Sequence, residues 1–338
     1  MKAYAGIDLH SSNSFIGILD EQGQRLYSQK MPNDSDIILK SLEPFKSKIE
    51  GVIVESTYNW YWLVDALEES GYKVHLANPS AMKQYEGLKY TDDKSDSFWL
   101  ADQKRLGILP EGYIYAKEER PTRDYLRRRL LFVQQRTAQL LSLQSMIARN
   151  TGKQISGSKI KMLKKAELKE MFDTELLFKM AETHLEAIRY LQQVTRGIEK
   201  TVKSQLKLKK EFELLLTIPG IGDILGMTIM LEVGDINRFK KVGCYSSYCR
   251  CVRSERRSND KKKGEGNRKN GNKYLSWAYV EAANFTKRFC PQAQKFYQRK
   301  AAKKNKIIAL KALSNKLARA SYYIIRDQVP FDAKKLFG

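Results

Sequence analysis

The 338-residue chain has no apolar run approaching the roughly 20 residues that cross a bilayer. Its opening, Met1-Lys-Ala-Tyr-Ala-Gly-Ile-Asp8, carries no signal-peptide hydrophobic core and already reads as a strand. Both absences point away from membrane and secreted classes, and a cytoplasmic location is expected. Cysteine is scarce: Cys244, Cys249 and Cys251 cluster and Cys290 stands apart, too few and too uneven for a disulfide framework. A zinc site needs about four ligands, and the three histidines, His10, His75 and His184, lie far from that cluster. Reduced, structural thiols are expected. Acid is also short, with 38 Asp and Glu against 61 Lys and Arg, a formal net charge of +23.

That shortage is confined to one part of the chain. Residues 1–119 hold 13 Lys/Arg and 19 Asp/Glu, a net of −6, so the remaining 219 residues carry +29. An acidic first part joined to a strongly cationic remainder implies that the remainder binds a polyanion. A membrane surface is the poorer candidate, because no basic segment shows the matching amphipathic apolar face. The hydrophobic fraction of 42% is that of ordinary globular proteins, and the length suits two or three domains with real cores.

Residues 3–9, 15–19 and 25–30 read as three strands joined by turns at Ser11–Asn13 and Glu21–Gly23. Asn33 or Ser35 caps a short helix over Ile37 to Leu42, which Pro44 disturbs. A buried-type strand, Gly51 to Glu55, follows, then a helix from Asn59 to Glu69 stopped by Gly71 and a fifth strand over 73–77. Next comes a helix carrying Asp93 and Asp96, three apart and therefore on one face. Three hairpin strands followed by helix, strand, helix, strand and helix is the order of a ribonuclease H-like (RuvC-like) α/β fold. Asp8 and Glu55 sit at the ends of apolar strands, where an acid is costly unless paired or bound to metal. Four converging carboxylates can hold two divalent cations about 3.5–4 Å apart, and hard oxygen donors favour Mg²⁺ or Mn²⁺ over zinc. An acidic helix start that merely satisfies the helix dipole is the competing explanation for Asp93 and Asp96. Asp92 and Asp102 are rivals for the two helical positions, although Asp92 would point about 100° away from Asp93. His10, two beyond Asp8, shares its strand face and either packs there or joins the site.

From about residue 118 the pattern becomes helical, dividing the chain into 1–117, 118–212 and 213–338. A helix over 120–150 is broken at Thr151-Gly152 and Ser156-Gly-Ser158, and a second spans 173–212. Leu177, Ala181, His184, Ile188, Leu191, Thr195, Ile198 and Val202 alternate four and three apart, the seam of a coiled coil. An antiparallel hairpin within the chain and a dimer arm both fit, with His184 packed or setting register. Arg127-Arg-Arg129 either grips phosphate or forms a wet face. Thr217-Ile-Pro-Gly-Ile-Gly222 before a helical segment resembles a helix-hairpin-helix turn, in which Gly220 and Gly222 would let backbone N–H groups approach a phosphate. A tight helix–helix joint explains it equally. From Cys251 through Lys306 there are 17 Lys/Arg against 4 Asp/Glu. Within that span, residues 253–272 are polar, basic and rich in Gly and Asn, and a mobile loop that orders on a polyanion is expected. Arg256, Arg257, Lys261, Lys262, Lys263, Arg268 and Lys269, with Lys273 at the head of the next helix, are its nucleic-acid-binding candidates. A helix over 273–289 and a basic one over 303–326 close the chain.

Several stretches together resemble transposases of the IS one-ten family, in its IS eleven-eleven branch. They are Gly6-Ile-Asp8, Val54-Glu55, Thr91-Asp-Asp-Lys-Ser-Asp96 with Trp99-Leu-Ala101, and Leu106-Gly-Ile-Leu-Pro110. Ile218-Pro-Gly-Ile-Gly222, Glu232-Val-Gly-Asp-Ile236, Arg257-Ser-Asn259 and Gly264-Glu-Gly-Asn-Arg-Lys-Asn-Gly-Asn272 complete the set. The resemblance covers nearly the full length. It implies a DEDD RuvC-like domain, long coiled-coil helices and a mostly helical C-terminal transposase domain that supplies a serine nucleophile. Carried over residue by residue, Asp8, Glu55, Asp93 and Asp96 are the catalytic, metal-binding tetrad and Ser258 the serine. Ser97 stands where many relatives have Ala, and Asn259 where many have Gly, which leaves Ser254 as a rival to Ser258. The implied partners are element-end and target DNA, a structured guide RNA encoded by the element, and further copies of the chain as a homodimer assembling to a tetramer; the implied setting is the bacterial nucleoid. No region reads as a helix-turn-helix or zinc finger, which agrees with delegating sequence choice to base pairing. A junction-resolving endonuclease using water, and a non-catalytic nucleic-acid scaffold, are the alternatives.

Overall fold

The computed structural model describes residues 1–82, 92–206, 209–265 and 270–338, with the backbone alone for Arg256 and Arg257. It divides into two compact units, Met1–Lys117 and Glu118–Gly338.

The first unit is a five-stranded mixed sheet with helices on both faces. Its strands are β1 (Ala3–Leu9), β2 (Asn13–Asp20), β3 (Arg25–Pro32), β4 (Ile49–Glu55) and β5 (Val74–Ala77), in the spatial order β3-β2-β1-β4-β5. The first three pair antiparallel as hairpins, while β1–β4 and β4–β5 are parallel. Parallel neighbours need crossover connections, and α1 (Ser35–Leu42) and α2 (Tyr61–Glu69) lie in those connections. Asp34 caps α1, accepting from the backbone N–H groups of Asp36 and Ile37, so the cap falls between the two expected positions. Alternation along β1 sorts the side chains. Ala5, Ile7 and Leu9 join Ile16, Ile18, Val52, Val54, Leu63 and Val64 in the core beneath α1 and α2.

The opposite face belongs to α3 (Asp93–Arg105). Gly6 and Gly17 are register partners on adjacent strands. A Cβ on Gly6 would stand 2.0 Å from the Ser97 carbonyl oxygen, and one on Gly17 would stand 2.6 Å from Ser97 Oγ. The glycine pair thus lets the α3 backbone lie directly on the sheet, with Leu19, Phe98 and Ala101 packed beside it. Ser97 is fully buried there and its hydroxyl bonds back to the Lys94 carbonyl. Only a small side chain fits, which accounts for Ser at a position where Ala would also serve.

The second unit is helical. The helices α4 (Arg120–Thr151), α5 (Gly157–Met162), α6 (Lys165–Lys169) and α7 (Glu175–Leu206) form its extended part. Contacts of Leu126 with Ile198 and Val202 at one end, and of Leu143 and Met146 with Ala181 and Leu185 at the other, make α4 and α7 an antiparallel hairpin within the chain. Ala181, Ile188, Leu191, Thr195, Ile198 and Val202 are buried on the seam as expected. At its start the seam passes through Phe178 and Leu185 instead of Leu177 and His184. His184 is half-buried and hydrogen-bonds across to Gln139 Oε1 at 2.7 Å, setting register between the helices. The remaining helices are α8 (Lys210–Leu216), α9 (Asp223–Val233), α10 (Val242–Tyr248), α11 (Lys273–Phe289), α12 (Pro291–Lys303), α13 (Lys306–Asp327) and α14 (Ala333–Phe337). They pack around Tyr245, Leu275, Tyr279, Leu313, Leu317 and Tyr322. Cys249, Cys251 and Cys290 are buried and all four cysteines are free.

Candidate active site

Asp8 lies near the end of β1, two residues beyond Gly6 and therefore on the α3 side of the sheet. It is only 4% exposed. Glu55 ends β4, the parallel neighbour of β1, and its carboxyl is hydrogen-bonded to that of Asp8. Asp93 and Asp96 occupy the first turn of α3. His10 Nε2 stands 3.1 Å from Asp8 Oδ2 and 3.3 Å from Asp93 Oδ1, bridging strand and helix. Ligand atoms of Asp8, His10 and Asp93 all lie within 4.8 Å of one another. Glu55 and Asp96 face a cleft of about 300 Å³ whose other walls are Pro79, Met82, Trp99 and Leu100. Asp92 is the N-cap of α3, accepting from Ser95 N at 2.8 Å, and Asp102 is paired with Arg105 at 2.7 Å. Both rivals therefore have structural partners. Tyr90 and Thr91, which precede them, lie outside the described residues.

Asp8, Glu55 and Asp96 hold their protons more tightly than free acids. Burial, then the hydrogen bond and charge of Asp8, push Glu55 up to about 7. Burial and the Asp93 charge raise Asp8 against the opposing pull of His10 and Glu55. Asp96 is raised by burial and by the charges of Asp8, Asp93 and Asp92. Acids that repel one another in a half-buried cleft are short of positive charge, and a divalent cation would supply it. A set of hard oxygen donors fits such an ion.

Ser258 is exposed at the end of β6 (Arg256–Ser258), which pairs antiparallel with β7 (Lys261–Gly264). The stretch expected as a mobile loop therefore contains a hairpin. Its two central residues, Asn259 and Asp260, have φ of 50° and 55°, as the type I′ turn of a two-residue hairpin requires. The left-handed region is open to Gly and, next best, to Asn and Asp. Asn259 therefore meets this conformational demand without being a glycine. Ser254 is half-buried in the segment before β6. Lys261, Lys262, Lys263 and Lys273 are exposed, Lys261 directly opposite Ser258. Arg268 and Lys269 lie outside the described residues, as do the side chains of Arg256 and Arg257. Gly222 is exposed as the N-cap of α9. Gly220 has φ of 97°, and a Cβ there would meet the Thr286 backbone N of α11 at 2.5 Å. Its lack of a side chain is explained by the helix–helix joint.

Residues 5–150 match the family model DEDD_Tnp_IS110, described as a transposase. Residues 212–298 match Transposase_20, described as the transposase IS116/IS110/IS902 family. The chain carries transposase domains of the IS110 family. A transposase binds and rearranges DNA, and the DEDD domain implies use of a divalent metal. No curated protein matches the chain. Among the described residues no helix is long and apolar enough to cross a membrane.

Two features of the structure are not visible in the sequence. The His10 carbonyl accepts from Asn33 Nδ2 at 2.9 Å and Asn59 Nδ2 at 3.0 Å, amides that Ser14 and Thr57 hydroxyls orient in turn. The only signal was two Asn in turns, a composition too common to single them out. Within Arg127–Arg129, Arg127 pairs with Glu232 and Arg129 with Glu199, leaving Arg128 exposed. Two of the three arginines thus belong to internal ion pairs, and neither a phosphate grip nor a wet face describes the run.

Proposed function

We propose that the chain cuts and rejoins DNA at the ends of an insertion sequence, with Asp8, Glu55, Asp93 and Asp96 holding Mg²⁺ (or Mn²⁺) and Ser258 as the nucleophile. The observation that carries this is the gathering of the four acids at β1, β4 and α3, with the proton affinities of Asp8, Glu55 and Asp96 raised by burial and mutual repulsion. Bound there, divalent cations polarise a scissile phosphate and ease ionisation of the attacking hydroxyl. Ser258 Oγ forms a bond to phosphorus and gives up its proton. One deoxyribose oxygen leaves and takes a proton, and a phosphoserine link remains. Attack by a second strand's hydroxyl reverses the exchange, so one phosphoester replaces another and no energy-rich cofactor is needed. Lys261, Lys262 and Lys263 flank the serine and offset phosphate charge, and Lys273 and the Gly222 end of α9 extend the cationic contact.

The cationic remainder of the chain and the lack of a base-reading motif support the further proposal that a structured RNA encoded by the element chooses the sites. The catalytic assembly would then be a tetramer built from homodimers, working at the nucleoid. The test is to incubate the purified protein with element-end DNA, Mg²⁺ and any co-purifying RNA, and to look for a covalent protein–DNA adduct. An adduct at Ser258 is expected. Cleavage with no adduct would replace the serine by water and make the chain a junction-type endonuclease, and no cleavage at all would leave a scaffold. RNA-free protein that recombined the same sites with unchanged specificity would overturn guidance.

A further inference from the structure

Glu232 lies on α9 and is only 2% exposed. A carboxylate so placed loses several kcal/mol of hydration, which only close partners make good. Arg127 of α4 supplies two prongs, Nε to Oε1 at 2.5 Å and Nη2 to Oε2 at 2.7 Å. Its guanidinium also stacks over the Tyr274 ring of α11, 4.6 Å from the centroid. A third bond comes from Asn272, whose Nδ2 donates to Glu232 Oε2 at 2.6 Å.

Asn272 stands where the serine hairpin returns to the helical body. Its Oδ1 caps α11, accepting from Tyr274 N and Leu275 N, and its own backbone N donates to the Tyr248 carbonyl at 2.6 Å. One residue earlier, the Gly271 carbonyl accepts from Arg250 Nε at 3.0 Å and Nη2 at 2.8 Å. Gly271 has φ of 87°, and a Cβ there would lie 2.5 Å from the Tyr248 carbonyl oxygen. Residues 248–250 and 270–272, the two ends of the segment that contains Ser258, are therefore stapled together. Glu232 fixes which way the staple's amide faces. An acceptor-only carboxylate holds Nδ2 toward itself and so leaves Oδ1 for the α11 cap.

We infer that Glu232 is a positioning residue for the serine hairpin, fixing its base against α4, α9 and α11 through Asn272 and Arg127. The inference rests on Ser258 being the nucleophile. Packing alone does not call for this arrangement, since well-fitted apolar side chains fill buried space at no desolvation cost. Three directional bonds to one carboxylate instead fix an orientation.

The test compares full-length Glu232→Gln, Glu232→Ala and Arg127→Met with the parent chain, by amide hydrogen exchange, DNA affinity and the rate of adduct formation at saturating DNA. In Glu232→Ala, exchange over residues 253–265 should rise about tenfold while α7 and α3 keep their protection. The adduct rate should fall by about tenfold or more with DNA affinity within about twofold. Arg127→Met should do the same, and Glu232→Gln, which keeps the shape and folds if Ala does not, should fall between. Unchanged exchange in the hairpin, or an equal rise through α9, α11 and the hairpin, would overturn the proposal and leave Glu232 as a general brace. Ser258→Ala separates the two ideas. It should keep the parent exchange pattern and form no adduct; were adducts to persist, the nucleophile would be wrong while hairpin exchange still decided the role of Glu232.

Discussion

The carboxylates and the serine are presented from very different supports. Asp8 and Glu55 come from adjacent central strands, and Asp93 and Asp96 from a helix whose backbone touches the sheet at a glycine pair. Ser258 comes from two short strands and a two-residue turn, exposed and tied down at the base. The tetrad is thus built by the domain's own core, before any ligand arrives. An isolated two-stranded hairpin is marginal in water, so its order depends on the staple beneath it. Under the proposed mechanism, preformed acids and a serine on an adjustable arm suit a reaction in which strands must be exchanged between cutting and rejoining.

The largest effect should come from the rigid side of this comparison. Asp8→Ala, Glu55→Ala and Asp96→Ala should each abolish Mg²⁺-dependent cleavage of labelled element-end DNA, a loss above about a thousandfold. The melting temperature without metal should hold or rise, because one repelling carboxylate is gone. On the adjustable side, Ser258→Ala should bind DNA within about twofold and form no adduct by mass spectrometry. Ser254→Ala should still form one.

Next in size is Gly6→Ala. The new Cβ would collide with the Ser97 carbonyl, and moving a packed helix costs about 1–3 kcal/mol. Melting of the first unit should fall while the α4–α7 hairpin keeps its hydrogen-exchange protection. The pH dependence should be gentler. Glu55 keeps its proton up to about 7 in the fold, against the ordinary glutamate value of 4.5. The folded state therefore binds more protons than the unfolded chain across that window, and metal-free stability should fall as pH rises through it. The shifts of Asp8 and Asp96 have the same sign. Since Mg²⁺ must displace those protons, its effect on melting should grow from about pH 6 to 8, and Glu55→Gln should flatten the metal-free profile. Smallest of all, Asn259→Gly should change the adduct rate by less than about twofold, because both residues accept the left-handed turn. Asn259→Val, which does not, should lose most of it.

The acids were legible because a charged residue ending an apolar strand is an anomaly that local sequence displays. The glycine pair was not, since Gly6 and Gly17 explain themselves only once α3 is placed across both strands. Partnerships of Arg127 and Arg129 span 105 and 70 residues, and nothing local announces them. The seam of α7 was followed correctly except at its start, where the stripe moves one residue over to Phe178 and Leu185. A straight helix drifts about 20° per heptad against a strict 3.5 repeat, and that drift moves the stripe. In the serine segment the many Gly, Asn and Lys residues suggested disorder. The Asn259-Asp260 pair between short strands was nonetheless a hairpin signal.

Asp8 shares the α3 side of β1 with Gly6, while Ala5, Ile7 and Leu9 point into the apolar layer opposite. A strand that slipped by one residue would turn every side chain over. Ile7 would then press against α3 and Asp8 would be thrust among Ile16, Ile18 and Val54, a charge stranded in oil. Asp8 thus also polices the folding of its own sheet, and a mispaired chain would lose its stability and its carboxylate cluster together. If the proposed cleavage is its activity, that coincidence is a safeguard: molecules that fold wrongly are disarmed by the same error.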